Sequence, residues 1–582
     1  MIDTRLSSHA EGAAFDVVVI GAGGAGLSAA LFASLAGARV LLVERTGYVG
    51  GTTAFSAGTT WVPLSAPGLA VAPGDTADTV LGFLDHAVGE RSPRALREAF
   101  VAHGAQAVAE LERHTAMRYQ VRRFHPDYLS ELEGSATAGR AIEPVPFDGR
   151  LLGDDLRLVR PPIPEFTVLG GMMVDRDDIG HLLGFTRSLT SLRYVLRILA
   201  RHAGDRLRHG RGTRLVMGNA LVARMLYSLR ERGVPLVTHT DLRALRRDAS
   251  GAITGVLLAQ DGDGGTTERA FSVHGGVVLA SGGFNRHPAR RAELLPGIDA
   301  HWCPGAPGHT GSAQDLALAA GARLGQGHRT HAFWAPVSTR MRADGSTAVF
   351  PHFAMDRGKP GMLAVDAHGQ RFVNESTSYH LFGRAMQDAA RPAVPAWLVC
   401  DAAALRRYGL GMVRPGGRGL APYLADGYLQ QGDTLAALAG RIGVPAAALE
   451  ATVQSFNAMA RAGDDAGFAR GTTVYQRANG DAGWPGPNPC LGELTQAPFY
   501  AVRLVPGDIG ATTGLVTDAN ARVLGDGDQA IAGLYACGND MNSIMADTYP
   551  APGITLGPGL VFARQAARDA CRRAGVLPKE TV

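Results

Sequence analysis

The chain has 582 residues, of which 46% are hydrophobic and 19% charged, with a formal net charge of +4. That length allows two or more domains around a large core, and so small a charge excludes a nucleic-acid surface built on bulk electrostatics. The five cysteines, Cys303, Cys400, Cys490, Cys537 and Cys571, are scattered and form no CxxC pair. This argues against a disulfide framework or metal site and fits a reducing cytoplasm. No signal-peptide-like stretch is read in residues 1–14, and no apolar run of about eighteen residues suggests a membrane span.

In chain order, residues 16–20 (DVVVI) read as a buried parallel strand. A glycine turn follows, then a helix over 25–37 and a second strand over 39–44. Helices are expected near 76–89 and 94–112. A Pro- and Arg-rich elaboration spans 145–217. Within it, RSLTSLRYVLRILAR (187–201) sets Arg193, Arg197 and Arg201 beside a broad leucine face. It reads as an amphipathic helix that either packs on its own protein or makes a weak peripheral contact with a membrane. A helix over 219–232 comes next, then strands near 235–238, 242–247 and 252–260. A buried strand over 276–281 and a helix over 312–322 follow. From 335 to 505 the periodicity weakens. After 510 the strand–turn–helix pattern resumes, with a strand over 531–537 and a helix over 558–574.

The turn after the first strand holds Gly21, Ala22, Gly23, Gly24, Ala25 and Gly26, a G-x-G-x-x-G. Its first glycine permits the turn, the second lets the backbone approach a diphosphate, and the third lets the helix pack on the strand. The helix N-terminus then faces the diphosphate. Glu44, with Arg45 beside it, ends the second strand, where a carboxylate accepts from ribose hydroxyls. A following loop, with Gly51, Thr52, Thr53, Ser56, Ala57 and Gly58, and a late turn, Gly538, Asn539 and Asp540, point to FAD rather than NAD. No histidine lies in the loop, so a histidyl–flavin bond from it is excluded and non-covalent FAD is expected. The fold class is α/β: a Rossmann-like FAD-binding domain, discontinuous over 12–334 and 506–582, with an inserted α+β substrate/catalytic domain at 335–505.

The motifs GGTTAFSAG (50–58), PDY (126–128), SGGF (281–284), GQRFVNESTSY (369–379), GLVTD (514–518), YACGND (535–540) and YPAPG (549–553) cover most of the chain. Together they resemble the 3-ketosteroid Δ1-dehydrogenases, within the fumarate reductase/succinate dehydrogenase flavoprotein superfamily. The resemblance implies that Tyr128, Tyr379, Tyr549 and the Gly553 amide surround a ring ketone. Ala280, Ser281, Gly282, Gly553, Ile554 and Leu556 join the flavin site. Proton loss beside a ketone needs donors aimed at the developing enolate oxygen. A tyrosine hydroxyl and an unshielded glycine amide four residues on can supply them. The resemblance makes Tyr379 the base, assisted by Tyr128, with hydride leaving the β-carbon for flavin N5.

Ala551 stands where this loop more often has glycine. The same chemistry on a small alicyclic ketone, a cyclohexanone-type dehydrogenase, and 3-ketosteroid Δ4-dehydrogenation therefore stay as alternatives. A fumarate reductase-like enzyme and a non-catalytic flavin-binding protein are further readings. The partner expected is a small apolar cyclic ketone, with a quinone or another carrier as electron acceptor. Arg371 is read as a hairpin residue or a contact to the flavin domain, His309 as loop packing, and Phe333 and Trp334 as pocket wall or domain joint.

Overall fold

The computed structural model describes residues 2–186, 188–262, 265–353 and 356–578. Arg187, at the head of the basic stretch, and residues 579–582 of the last segment lie outside the described residues.

Apolar, β-branched segments followed by glycine turns build a parallel seam at the centre of the molecule. Strand Ala14–Ile20 pairs in parallel with Val40–Val43 on one side and Gly265–Leu279 on the other. Gly265–Leu279 pairs in parallel with Ala530–Ala536. Leu236–Val237 extends the sheet beyond Val40–Val43, and Ile253–Gly262 with Thr240–Arg247 extend it antiparallel from the first half of Gly265–Leu279. With Arg522–Leu524 beside Ala530–Ala536 the sheet has eight strands. Covered on both faces, its parallel strands are buried almost throughout, which is why they read as unbroken hydrophobic runs. Helices Gly24–Leu35 and Leu556–Arg573 pack against each other, and Met217–Glu231 packs on the first of them.

A second, antiparallel sheet of six strands lies between residues 332 and 511. Its order is Thr347–Pro351, Ala332–Met341, Phe499–Ala511, Ala396–Asp401, Met362–Val365, with Leu429–Gly432 also on Phe499–Ala511. Ala332–Met341 and Phe499–Ala511 pair from Ala332↔Ala511 to Val337↔Val505. These two strands run across residues 335 and 505, where the sequence changes character, so a single hydrogen-bonded ribbon joins the two parts.

Arg371 lies within this second part. Its guanidinium bonds both oxygens of Glu375 at 3.0 and 2.7 Å and both of Asp465 at 3.0 and 2.8 Å. Phe456 and Phe468 cover it. It is the hairpin residue of the two readings, without an ion pair to the nucleotide-binding sheet.

The 145–217 elaboration folds into a 3-10 segment Gly149–Leu158, a short hairpin Thr167–Val168/Met172–Met173, and helices Arg176–Gly184 and Leu189–His209. The first of these helices, short and sparsely apolar, gives no periodic signal in sequence. Its start is set by Asp175, whose side chain caps Asp177 and Asp178 while Asp178 reaches back to the Asp175 amide. Leu189–His209 packs on its own protein through Val195 and Ile198, and Tyr194 donates to Asp178 at 2.6 Å. Its other side exposes Leu189, Leu196 and Leu207. Among the described residues no helix is long and apolar enough to cross a membrane.

Arg371→Met should cost about 3–5 kcal/mol, because it leaves two buried carboxylates short of a partner. A urea melt reads this as a lowered midpoint; an unchanged midpoint would show that the cluster is not structural.

Candidate active site

The parallel strands Ala14–Ile20, Gly265–Leu279 and Ala530–Ala536 end at the same edge of the sheet. Three glycine turns therefore meet there, and a cavity of about 600 Å³ opens beside them. Gly21 has φ +103°, and a Cβ on it would fall 2.3 Å from the Ala280 carbonyl oxygen. A Cβ on Gly26 would sit 1.8 Å from the Gly21 oxygen, so this glycine permits helix–strand contact. A Cβ on Gly23, by contrast, would meet nothing within 4 Å. Gly23, Gly24 and Ala25 line the cavity, and the N-cap of the helix they begin is a glycine with no side chain of its own. A helix start beside open space suits a diphosphate.

Glu44 is buried on the cavity wall. One carboxylate oxygen accepts from the Ala22 amide at 3.0 Å, the other from the Thr46 amide and hydroxyl at 2.9 and 2.7 Å. Arg45 bonds Asp241, Thr310 and Ser312. The wall continues with Gly51, Thr52, Thr53, Ser56, Ala57, Ala280, Ser281, Gly282, Gly538, Asn539, Gly553 and Leu556. Thr53 accepts from the Gly24 amide at 3.1 Å and so ties the second loop to the first helix.

Five residues of the expected nucleotide set stand behind this wall. Ala22 turns its amide to Glu44, Gly26 packs on Gly21, and Gly58 approaches Met217 and Gly218. Ile554 lines a separate small cavity. Asp540 is fully buried, where it accepts from the Ser281 amide and hydroxyl and from the Gly283 amide at 3.0 Å. It clasps one turn to the next. His309 is on the wall instead of packed in a loop, 3.3 Å from the Thr52 hydroxyl and against Gly282. Burial, with Arg286 and Arg160 adding to it, lowers its pKa to about 4, so the ring is neutral. The residues fit FAD.

At the other end, the Pro550 carbonyl accepts from the Tyr128 amide at 2.7 Å and the Leu129 amide at 3.1 Å. These bonds pin the 126–128 loop to the 549–553 loop. Asp127 anchors it from below, accepting from Trp61 Nε1, the Ala136 amide and Arg140, each at 2.9 Å. Tyr379 opens helix Tyr379–Met386, whose N-cap Ser378 accepts from the Leu381 amide. His380 fixes that helix: its Nδ1 accepts from the Trp334 amide, so its Nε2–H donates to the Asp547 carbonyl at 3.0 Å. Burial lowers the His380 pKa to about 4, in keeping with this neutral tautomer.

Tyr128, Tyr379 and Tyr549 come together on the wall. Their ring centroids are 5.4 Å apart for Tyr128–Tyr379, 5.1 Å for Tyr379–Tyr549 and 5.8 Å for Tyr128–Tyr549. The Tyr128 and Tyr379 hydroxyls are 3.5 Å apart, long for a hydrogen bond. Burial pushes all three phenols above the usual range, Tyr128 and Tyr379 well above it. Their mutual contact eases ionisation at Tyr128 and opposes it at Tyr379. One shared proton cannot serve two phenolates, so the two titrate as a pair. Gly553 has φ +87°, and a Cβ there would fall 2.4 Å from the Thr59 carbonyl oxygen. Its carbonyl is taken by the Trp61 and Gly557 amides, while its own N–H has no acceptor among the described residues.

Sequence reasoning missed Tyr475, whose ring is 4.7 Å from that of Tyr128, and Phe353, 4.8 Å from Tyr379. It also missed Ile163, Phe166 and Arg176 of the elaboration, which complete the wall with Lys359. Phe333 is wall, its ring 5.1 Å from Tyr549, whereas its neighbour Trp334 points away into a cluster with Phe284 and Leu295. Ala551 is fully buried and does not line the cavity.

Comparison with known proteins places this geometry. The FAD binding domain family matches over residues 16–556. The chain is 36% identical to the 4-oxocyclohex-2-ene-1-carboxylate 5-dehydrogenase of Sinomonas cyclohexanicum, over 96% of this chain and 94% of that one. It is 35% identical to the 3-oxosteroid 1-dehydrogenase of Mycolicibacterium smegmatis, over 98% and 99%. The crystal structure of the 3-ketosteroid Δ1-dehydrogenase of Sterolibacterium denitrificans, in complex with 1,4-androstadiene-3,17-dione, superposes with a TM-score of 0.88. It is 33% identical and covers 97% of this chain and 99% of its own.

Purified protein should be yellow, and acid precipitation should release the flavin into the supernatant. Colour retained in the pellet would mean a covalent bond.

Proposed function

The chain belongs to the FAD binding domain family, in its 3-ketosteroid Δ1-dehydrogenase-like branch of CH–CH oxidoreductases, and on that premise we propose how its residues desaturate a ring ketone. The substrate class is a six-membered cyclic ketone, the element common to the substrates named for the two relatives above. The observation that carries the residue assignment is the convergence of Tyr549, Tyr379, Tyr128 and the free Gly553 amide on one cavity wall, adjoining the turns that suit FAD.

In this reading the Tyr549 hydroxyl and the Gly553 N–H donate to the ketone oxygen. Each such donor contributes about 3 kcal/mol to stabilising an enolate-like transition state. Tyr549 is suited to donate because burial keeps it a neutral phenol. Bound FAD supplies the two-electron acceptor for the hydride that leaves the β-carbon. Gly21, Gly23, Gly24, Ala25, Glu44, Gly51, Thr52, Thr53, Ser281, Gly538 and Asn539 would hold it. The Tyr379–Tyr128 pair takes the α-proton. Tyr379, ionised beforehand, is the contacting base and becomes a neutral phenol on taking the proton, and Tyr128 shares the pair's negative charge until then. The 3.5 Å gap would tighten once substrate displaces water, as catalytic hydrogen bonds often do. The apolar side chains of Phe333, Phe353, Phe166 and Ile163 exclude water and hold the carbocycle.

Reoxidation falls to an external acceptor, a quinone or another carrier. The exposed Leu189, Leu196 and Leu207 beside Arg193 and Arg197 suit a weak contact with an anionic membrane surface. Co-sedimentation with anionic vesicles at low salt supports that contact, and its absence rejects it.

Tyr379→Phe and Tyr549→Phe should keep the flavin while each lowers kcat by roughly 10²–10³-fold. Because burial raises the pair's pKa, the unreactive protonated form prevails at neutral pH. Ketone turnover should therefore climb as pH rises from 7 toward 10. Near-normal turnover in Tyr379→Phe would remove it as the base, and a rate falling with rising pH would contradict a phenolic base.

A further inference from the structure

The tyrosine end of the cavity is apolar, yet two cations line it. Arg176 is the first residue of helix Arg176–Gly184, and Lys359, bonded to the Gly480 carbonyl, lines the same cavity. Three acidic residues adjoin Arg176 in sequence, and all are engaged elsewhere. Asp177 pairs with Arg122 at 3.0 Å, Asp178 with Arg214 at 2.7 Å, and Asp175 caps the helix and also faces Arg214. No carboxylate lies within ion-pair distance of Arg176 among the described residues.

The Lys359 ammonium donates to the Gly480 carbonyl at 2.6 Å, one of its three donors. Two acids act on Lys359, and both are engaged: Asp481 with Tyr408 at 2.7 Å and Arg407 at 2.6 Å, and Asp356 with His352 at 2.7 Å. Burial pushes the Lys359 pKa down; Asp481 opposes that shift and Arg176 adds to it, so the two cations share one field. The carboxylates on the cavity wall, Glu44 and Asp241, belong to the nucleotide end. His125, also on this wall, adds no charge: burial lowers its pKa to about 3. The field of Arg176 reaches Tyr128 and Tyr475 and favours their ionised forms.

We infer that Arg176 and Lys359 form an anion-recognition subsite that selects ring ketones bearing a carboxylate on the side away from the carbonyl. The inference rests on the ring-ketone reading and narrows it. Arg176 is exposed and Lys359 half-buried, neither has a carboxylate partner among the described residues, and a substrate carboxylate would offer both a charge-assisted hydrogen bond. A neutral polycyclic ketone of similar fit would leave both unpaired. The same field that binds the carboxylate eases ionisation of Tyr128, so substrate charge and base strength are coupled through Arg176.

The test uses the flavin-loaded protein mixed anaerobically with 4-oxocyclohexane-1-carboxylate, its methyl ester, 4-androstene-3,17-dione and succinate. Flavin bleaching is the readout. Wild type should prefer the carboxylate over the ester by roughly 10–100-fold in kcat/KM. That ratio should fall toward one in Arg176→Gln and in Lys359→Gln, recover partly in Arg176→Lys, and shrink with salt. Comparing acid with ester inside each variant removes the part of any effect on the base that both substrates share.

A ratio near one in wild type, or one unchanged by both glutamine variants, would overturn the subsite. Bleaching by ester or steroid would then leave the ring-ketone reading standing. Bleaching by succinate alone, or by no ketone, would overturn the ring-ketone reading. Binding then decides the subsite separately: cyclohexanecarboxylate, which cannot form an enolate at a ketone, should perturb the flavin spectrum of wild type but not of Arg176→Gln. No perturbation in wild type would overturn it.

Discussion

Three parallel strands ending at one edge of the same sheet are the constraint on which the rest of this molecule depends. Ala14–Ile20, Gly265–Leu279 and Ala530–Ala536 are hydrogen-bonded neighbours although more than five hundred residues of chain separate the first from the last. Their alignment puts the turns at Gly21, Ser281 and Gly538 side by side, where a dinucleotide binds in open α/β sheets. Asp540 then clasps the second turn to the third from behind. The loop that follows the third strand carries Tyr549 and Gly553, so ketone recognition inherits its position from the sheet that holds the flavin.

The chemical end is assembled differently, by long-range bonds between loops. One carbonyl, that of Pro550, accepts both the Tyr128 and the Leu129 amides. Tyr379 arrives from the second sheet on a helix whose orientation His380 fixes. Three phenols thus meet in a desolvated wall. Burial serves Tyr549, which must stay protonated to donate, and hinders Tyr379, which must give up its proton to act. Contact with Tyr128 opposes ionisation at Tyr379 itself, whereas that contact and the field of Arg176 ease it at Tyr128, so the pair and not Tyr379 alone carries the ionisation. One environment thus assigns donor and base to chemically identical side chains by their neighbours.

The nucleotide half was legible in sequence because its glycines are demanded by backbone geometry, as the 2.3 Å and 1.8 Å approaches at Gly21 and Gly26 make plain. Tyr549 and Gly553 were legible as a pair because a donor and an amide four apart make local sense. Tyr128 and Tyr379 were found only through resemblance, since nothing local separates them from core tyrosines. Tyr475, Lys359 and Arg176 were missed for the same reason: each acts through placement from a distant segment. His309 was read as packing, yet it reaches the wall because Gly282 has no side chain to fill the space. Ala22, Gly26, Gly58, Asp540 and Ile554 stand behind the cavity wall, where they shape and brace its turns.

The central claim is that a ketone held by Tyr549 and Gly553 loses its α-proton to the tyrosine pair while hydride leaves the β-carbon. The most direct test is anaerobic flavin bleaching by cyclohexanone carrying deuterium at both β-carbons, compared with unlabelled ketone. Slower bleaching with the labelled ketone, by a primary isotope effect, is expected. Equal rates with product formed, or bleaching by succinate but by no ketone, would contradict it.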